Sequence, residues 1–106
     1  MPYEIALTDN VKFMLQGIQD PRVQREIVER IDGLVVGPEE QGTPVLGELA
    51  GSRSISAVED RYRIIYRVVP TQQIIVVLGI RRKEGMERIL NLLRRFLRLG
   101  LIGPGS

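Results

Sequence analysis

The chain contains neither cysteine nor histidine, and these absences exclude several kinds of chemistry. Disulfide bonds, the usual zinc sites and histidine-based acid–base catalysis all require one of these residue types. No apolar run is long enough for a membrane-spanning helix, and the N-terminal segment lacks the basic and then apolar order of a signal peptide. The absence of cysteine fits a cytoplasmic protein, and we expect neither a metal nor a cofactor.

The sequence has 106 residues, enough for one domain with a modest core. We predict a single domain over 1–106, with a flexible tail at 101–106. The net charge is only +2, but residues 1–50 carry four cations against nine acids, and residues 51–106 carry eleven cations against four acids. Thirteen of the fifteen cations are arginine, whose planar guanidinium group suits phosphate. This asymmetry predicts an acidic scaffold half and a basic functional half.

Apolar periodicity predicts a strand and a helical hairpin in the acidic half. Alternation at 3–7 is typical of a short strand with one buried face. Thr8 and Asp20 are the predicted N-caps of two helices, and Pro21 prevents the first helix from continuing past about Gln19. The apolar positions recur at helical spacing: Val11, Met14, Leu15 and Ile18 in the first helix, and Val23, Ile27, Ile31 and Leu34 in the second.

The basic half predicts a loop, three strands and a helix. Residues 38–51 are rich in glycine and proline and predict a loop. Strands are predicted at 52–58, at 61–68 and from 74 into the basic cluster, and a basic amphipathic helix at 84–99. Docking of that helix is expected to depend on Ile89, Leu90, Leu93 and Phe96. We predict an α+β fold in which an N-terminal strand and a helical hairpin pack on an antiparallel β-sheet, followed by a C-terminal helix.

Positive charge is concentrated on two adjacent predicted strands. Alternation along 61–68 places Arg61, Arg63 and Arg67 on one face of the sheet. The next strand ends in the basic cluster 81–83. A sheet with this distribution of charge is suited to binding polyanions.

Five segments, taken in order, resemble one known family. They are Tyr3-Glu4-Ile5, Leu46-Gly47-Glu48-Leu49, Arg53-Ser54, Tyr62-Arg63-Ile64-Ile65-Tyr66 and Gly79-Ile80-Arg81-Arg82. The set resembles the RelE/ParE superfamily of type II toxin–antitoxin toxins, and the likeness covers nearly the whole chain. It implies a RelE-like fold and a cognate antitoxin as partner. It also implies one of two targets, because RelE-like members cut messenger RNA on the ribosome without a metal, whereas ParE-like members poison DNA gyrase.

The resemblance also implies roles for individual residues. In the nuclease branch, a ribose 2′-hydroxyl attacks the adjacent phosphate, and cations stabilise the phosphorane that forms. Arg63 matches the family's strand arginine and Arg81 matches its arginine after the following strand, so both are the expected catalytic residues. The remaining cations near the strands are expected to bind RNA: Arg53, Arg61, Arg67, Arg82 and Lys83.

The sequence departs from the nuclease pattern at the positions of proton transfer. Ser54 and Ser56 occupy positions where nuclease members often carry lysine. Glu87 or Leu90 stands where an acid–base tyrosine is expected in the last helix. The two tyrosines at 62 and 66 lie on the face opposite the arginines and are expected to belong to the core.

Several alternatives therefore remain open from the sequence. Glu59, Glu84 and Glu87 are candidates for the missing general base. The leading hypothesis is a ribosome-dependent messenger RNA endoribonuclease that inhibits translation. The alternatives are a ParE-like toxin that poisons gyrase and a catalytically degenerate protein of the RelE fold. The basic C-terminal helix could also bind a membrane surface, although we expect no membrane partner.

Overall fold

A computed structural model describes residues 3–83 and 86–100 of the chain. Within these residues the helices are α1 (Asp9–Gln16), α2 (Pro21–Asp32) and α3 (Met86–Arg98). The strands are β1 (Glu4–Leu7), β2 (Thr43–Pro44), β3 (Arg53–Ala57), β4 (Tyr62–Val69) and β5 (Ile74–Arg82). The predicted α+β class, the helical hairpin and the C-terminal helix are confirmed.

The described strands form one sheet in the order β1-β5-β4-β3-β2. Strands β3, β4 and β5 are the predicted antiparallel meander, and β2 extends it from within the predicted loop. At the opposite edge β1 pairs in parallel with β5. The α1–α2 hairpin separates β1 from the rest of the sheet in sequence, and a crossover of this kind permits the parallel pairing.

The two helices of the hairpin begin at the predicted caps. The Thr8 hydroxyl accepts a hydrogen bond from the backbone N–H of Val11 at 3.3 Å, and the Asp20 carboxylate accepts one from that of Arg22 at 2.9 Å. Each cap satisfies one of the N–H groups that have no partner within the helix. Helix α1 ends at Gln16, three residues before the predicted end.

The hairpin covers one face of the sheet and encloses the core. The buried apolar residues alternate along β3 and β4 and recur at helical spacing on α1 and α2, as the sequence predicts. They include Val11, Leu15, Ile27, Ile31, Leu34, Ile55, Ile64, Tyr66, Ile75, Val77 and Ile80. The hairpin does not cover the opposite face of the sheet, and Arg63 lies on that face.

The segment between α2 and β3 is anchored to the sheet by hydrogen bonds. The hydroxyl of Tyr66 lies 2.8 Å from the carbonyl oxygens of both Pro38 and Gln41, and these two acceptors share its single hydrogen. The side-chain amide of Gln41 donates back to the carbonyls of Gly33 and Val36, at 2.9 and 2.7 Å. These bonds satisfy loop carbonyls that would otherwise lack partners, and they fix the position of β2.

Gly42 allows this loop to approach β3 closely. Its φ of +67° lies in the left-handed region, and a Cβ at this position would overlap the carbonyl oxygen of Ser54. Only glycine meets both conditions without strain. The next two residues therefore pair with β3 as β2 and form a rim beside the arginine face.

Helix α3 is less buried than its apolar stripe predicts. Leu93 is 40% exposed and Leu97 is 48% exposed, and Phe96 is half-buried. The predicted docking through Leu93 is therefore wrong, and Ile89 and Leu90 lie outside the residues whose side chains are described. In the described part of the chain, no helix is both long enough and apolar enough to cross a membrane.

Replacing Tyr66 with phenylalanine tests the anchoring of the loop. The substitution removes the hydroxyl and leaves the Pro38 and Gln41 carbonyls without this donor, so we expect a loss of about 1–2 kcal/mol in the free energy of unfolding. Tyr62→Phe on the same face should change it by less than about 0.5 kcal/mol. Urea denaturation measures both variants, and equal losses in the two would contradict the assigned role.

The Tyr66 variant should also alter the response to alkali. Burial raises the pKa of the Tyr66 hydroxyl above its ordinary value, although the Arg53 guanidinium opposes this. The Tyr66 hydroxyl ionises at a lower pH in the unfolded chain than in the folded protein. The stability that the neutral hydroxyl contributes is therefore present below about pH 10 and is lost as the pH rises through the folded-state pKa. Tyr66→Phe should therefore lose less stability than the native chain above about pH 10.

Candidate anion-binding site

An irregularity in the pairing of β4 with β5 decides which arginines share a face. Ile65 pairs with Gly79 but Tyr66 pairs with Val77, so Leu78 has no partner in β4. Such a bulge reverses the alternation of side chains in the strand that contains the extra residue. Residues 75 and 77 face the core before the bulge, and Ile80 faces it afterwards. Arg81 is thereby turned to the face opposite the hairpin.

The same register places two arginines directly opposite each other. Arg63 of β4 pairs with Arg81 of β5. Side chains at such positions begin about 4.5–5.5 Å apart, and like charges facing each other destabilise a sheet. Arg63 is half-buried and Arg81 is exposed. An anion between the two guanidinium groups would remove the repulsion and accept hydrogen bonds from both.

A cavity of about 520 Å³ lies over this pair. Its described lining contains four cations and no acid, together with hydroxyl groups and an apolar floor: Thr43, Pro44, Val45, Ser54, Arg63, Ile65, Arg81, Arg82 and Lys83. A concave site lined by one sign of charge concentrates the field and attracts counter-ions. The cavity is therefore large enough for a phosphate group, and its arginines favour an anion there.

Strand β3 and the β2 rim supply the hydroxyl groups of the site. One guanidinium nitrogen of Arg63 donates to the Ser54 hydroxyl at 3.4 Å, which draws Arg63 toward β3. Thr43 pairs with Ser54 across the β2–β3 ladder. Hydroxyl groups at these positions can donate to a bound oxyanion. Ser54 is thus a neutral donor at one of the two positions, 54 and 56, where the resemblance associates lysine with the nuclease members.

Lys83 is buried although it is charged, and it has a specific partner. It is 8% exposed, and its ammonium nitrogen lies 2.9 Å from each carboxylate oxygen of Asp60. Hydrogen bonds from this ammonium group hold the pKa of the Asp60 carboxyl below its ordinary value, against a smaller opposing effect of burial. Asp60 was not among the residues selected from the sequence.

The other predicted RNA-binding arginines are dispersed around the sheet. Arg67 shares the face of Arg63, and its guanidinium group lies 3.3 Å from the Ser52 hydroxyl and 3.4 Å from the Ala50 carbonyl. Arg53 lies on the core side of β3, where it donates to the loop carbonyls of Gln41 and Gly42 at 2.7 and 3.1 Å. Their roles toward RNA stay predictions.

Arg61 and Arg82 border a second cavity, on the hairpin side. The predicted placement of Arg61 on the face of Arg63 is wrong, because β4 begins only at Tyr62 and Arg61 belongs to the preceding turn. It lines a cavity of about 510 Å³ with Arg82 and apolar side chains of α1. The Arg82 guanidinium carbon lies 5.8 Å from the centre of the Tyr62 ring, within the range of a cation–π contact.

No described acidic side chain lines the cavity at the arginine pair. The Asp60 carboxylate is hydrogen-bonded to Lys83, which lowers its pKa, and the charge of Arg63 contributes to lowering it. Glu59 is exposed in the β3–β4 turn and does not line the cavity, and Glu84 and Glu87 lie outside the residues whose side chains are described. Tyr62 and Tyr66 contribute to the core side, as predicted. In residues 3–83 and 86–100, no group of three or more acidic side chains is placed to hold a metal ion.

Comparison with known proteins identifies one family and one fold. The family described as the ParE toxin of type II toxin–antitoxin system, parDE, matches residues 6–87. The RelBE2 toxin–antitoxin complex from Mycobacterium tuberculosis contains a chain that is 29% identical, with a TM-score of 0.67 over 77% of this chain and 99% of that one. No curated protein sequence matches the chain.

Two further solved structures share the fold at lower identity. The isolated RelE toxin of Escherichia coli is 15% identical, with a TM-score of 0.69 over 90% of this chain and 99% of that one. The archaeal RelE–RelB complex from Pyrococcus horikoshii is 21% identical, with a TM-score of 0.58 over 78% of this chain and 97% of its own. The RelE-like fold predicted from the sequence is thereby confirmed.

Gly79 provides a steric test of the cavity. By register it lies opposite Ile65 and two residues before Arg81, and no heavy atom lies within 4 Å of the position its Cβ would take. Gly79→Val should fold at least as stably, because glycine within a strand destabilises it by about 0.5–1 kcal/mol. We expect pyrophosphate binding to weaken about tenfold, equivalent to about 1.4 kcal/mol.

Gly79→Ala is the matched control, since a single methyl group occupies only part of the open space. NMR signals of the Arg63 and Arg81 side chains, followed during titration with pyrophosphate, report the affinity. Native affinity in the valine variant would show that anions do not bind over this part of the sheet.

Proposed function

This chain belongs to the ParE toxin family of type II toxin–antitoxin systems, within the RelE/ParE superfamily, and from its facing arginine pair we propose that it is a messenger RNA endoribonuclease. In this proposal it acts in the cytoplasm on messenger RNA held by the ribosome and so inhibits translation. A cognate antitoxin silences it.

The facing pair Arg63–Arg81 is the observation that carries this proposal. Two arginines placed opposite each other in a sheet destabilise the free protein, so a bound anion is the simplest reason for keeping them there. The cavity above them has hydroxyl donors and no described acidic side chain. These are the properties required of a site that stabilises extra negative charge on a phosphate.

The chemistry proposed for this site is transfer within the RNA strand. The 2′-oxygen of a ribose forms a bond to the adjacent phosphorus while the bond from phosphorus to the 5′-oxygen of the next nucleotide breaks. The proton of the 2′-hydroxyl must leave and a proton must reach the 5′-oxygen. Arg63 and Arg81 hold the non-bridging oxygens, on which negative charge increases in the transition state.

A second candidate function is a gyrase poison of the ParE kind. It is favoured by a specific observation, since no described residue lining the cavity is an acid, a histidine or a tyrosine. Positioned proton transfer supplies typically about 10²–10⁴-fold in rate, so arginines alone would give a slow nuclease. In this alternative the basic face binds a protein or DNA surface without cutting RNA.

The partner we propose is an acidic, amphipathic antitoxin segment. The cavity offers cations, and α3 offers leucines that are 40% and 48% exposed at positions 93 and 97. A segment carrying both carboxylates and apolar side chains would neutralise the first and cover the second. Structures of RelE-like toxins with their antitoxins support such a partner here.

Inducing the chain in cells without its antitoxin separates the two candidates. The nuclease proposal predicts new 5′ ends within translated messages, and these ends should disappear when translation initiation is blocked. Intact messages together with DNA damage and arrested replication would overturn it in favour of the gyrase poison.

Removing either arginine of the pair should weaken RNA binding in a salt-dependent manner. Each phosphate contact on a single strand contributes about 0.7 to the slope of log affinity against log salt concentration. Arg63→Ala and Arg81→Ala should each lower that slope by about 0.7 and abolish toxicity while remaining folded. Fluorescence anisotropy with a labelled single-stranded RNA gives the slope.

Arg95→Ala is the control, because Arg95 is also an exposed arginine but lies on α3. It should change the slope much less. Arg63→Lys keeps the charge without the bidentate geometry and should retain only part of the activity. Full toxicity and an unchanged slope in both alanine variants of the pair would exclude the phosphate-stabilising role.

A further inference from the structure

Lys83 borders the anion-binding cavity, yet its charge is already neutralised within the protein. Its ammonium group donates to both oxygens of Asp60 at 2.9 Å, and the lysine is 8% exposed. Its backbone N–H also donates to the Arg61 carbonyl at 2.8 Å. Lys83 is thus fixed at both its side chain and its backbone to the turn between β3 and β4.

The turn that presents Asp60 is strained. Val58, Glu59 and Asp60 have φ angles of 54°, 53° and 65°, three consecutive non-glycine residues in the left-handed region. This region is unfavourable for residues with a Cβ and most of all for a β-branched one such as Val58. Such strain persists only where surrounding contacts impose it. The ion pair and the backbone bond from Lys83 are contacts of that kind.

The two carboxylate oxygens compete with any phosphate for the same ammonium group. Asp60 has a side chain that is 59% exposed, so it would be hydrated if the lysine left it. Lys83, in contrast, would be left buried without its counter-charge, which is unfavourable. The pair therefore remains closed unless a stronger anion or a change at Asp60 releases the lysine.

We propose that Asp60 and Lys83 form a charge lock, in which the carboxylate withholds Lys83 from the anion in the cavity and fixes the end of β5 beside Arg81. Asp60 is thus a positioning residue, and it limits the number of phosphate contacts that the cavity makes. This inference rests on the proposed function, since it concerns the RNA phosphate expected at Arg63 and Arg81.

The test compares salt slopes for binding of a short single-stranded RNA to the full-length chain. Lys83→Met should leave the slope unchanged, because the lysine makes no phosphate contact while it is locked. Asp60→Asn removes the competing charge, so Lys83 should gain a phosphate contact and the slope should increase by about 0.7. The double variant Asp60→Asn/Lys83→Met should return to the native slope, which assigns the gained contact to Lys83.

The salt slopes of these variants support or overturn the Asp60–Lys83 lock, and that of Arg63→Ala does so for the proposed function. A slope that falls by about 0.7 in Lys83→Met, as expected for Arg63→Ala, would show that Lys83 binds phosphate in the native protein and would overturn the lock. An unchanged slope in Asp60→Asn would overturn it too. If Asp60→Asn does not fold, the test rests on Lys83→Met, and an unchanged salt slope in that variant supports the lock. An unchanged slope in Arg63→Ala identifies failure of the proposed function itself.

Discussion

The opposition of Arg63 and Arg81 across β4 and β5 is the constraint on which the rest of the site depends. It follows from the unpaired residue Leu78, because the bulge reverses the side-chain alternation after the apolar segment that fills the core. Without the bulge, Arg81 would share the face of Ile75 and Val77 and point toward the hairpin. Strand β5 thus directs its buried apolar side chains toward the hairpin and Arg81 toward the opposite face of the sheet.

The arginines of the basic half divide into structural and site residues. Arg53 and Arg67 donate to loop carbonyls and to Ser52, and in doing so they hold the loop beside β3. Arg63 and Arg81 face the cavity. A positive charge balance in the sequence therefore overstates the number of cations that face a polyanion, because guanidinium groups are also effective donors to backbone oxygens.

The elements could be predicted from the sequence because their signals are local. Helix caps at Thr8 and Asp20 and the alternation along β4 depend on neighbouring residues only. The parallel partner of β1, the bulge and the Asp60–Lys83 pair depend on contacts between distant segments, which periodicity does not report. The alternation also failed for Arg61, since it cannot show where a turn ends and a strand begins. A glycine following five apolar residues was the only sequence signal near the bulge.

A double-mutant cycle on the stability of the free protein measures whether Arg63 and Arg81 repel each other. Arg63→Ala, Arg81→Ala and the double variant, unfolded in urea at low salt, give the interaction energy of the two arginines. We predict a repulsion of about 0.2–1 kcal/mol, the range for cross-strand pairs, which disappears or reverses when pyrophosphate is present. An interaction energy of zero, or a repulsion that pyrophosphate leaves unchanged, would show that the two arginines do not share an anion.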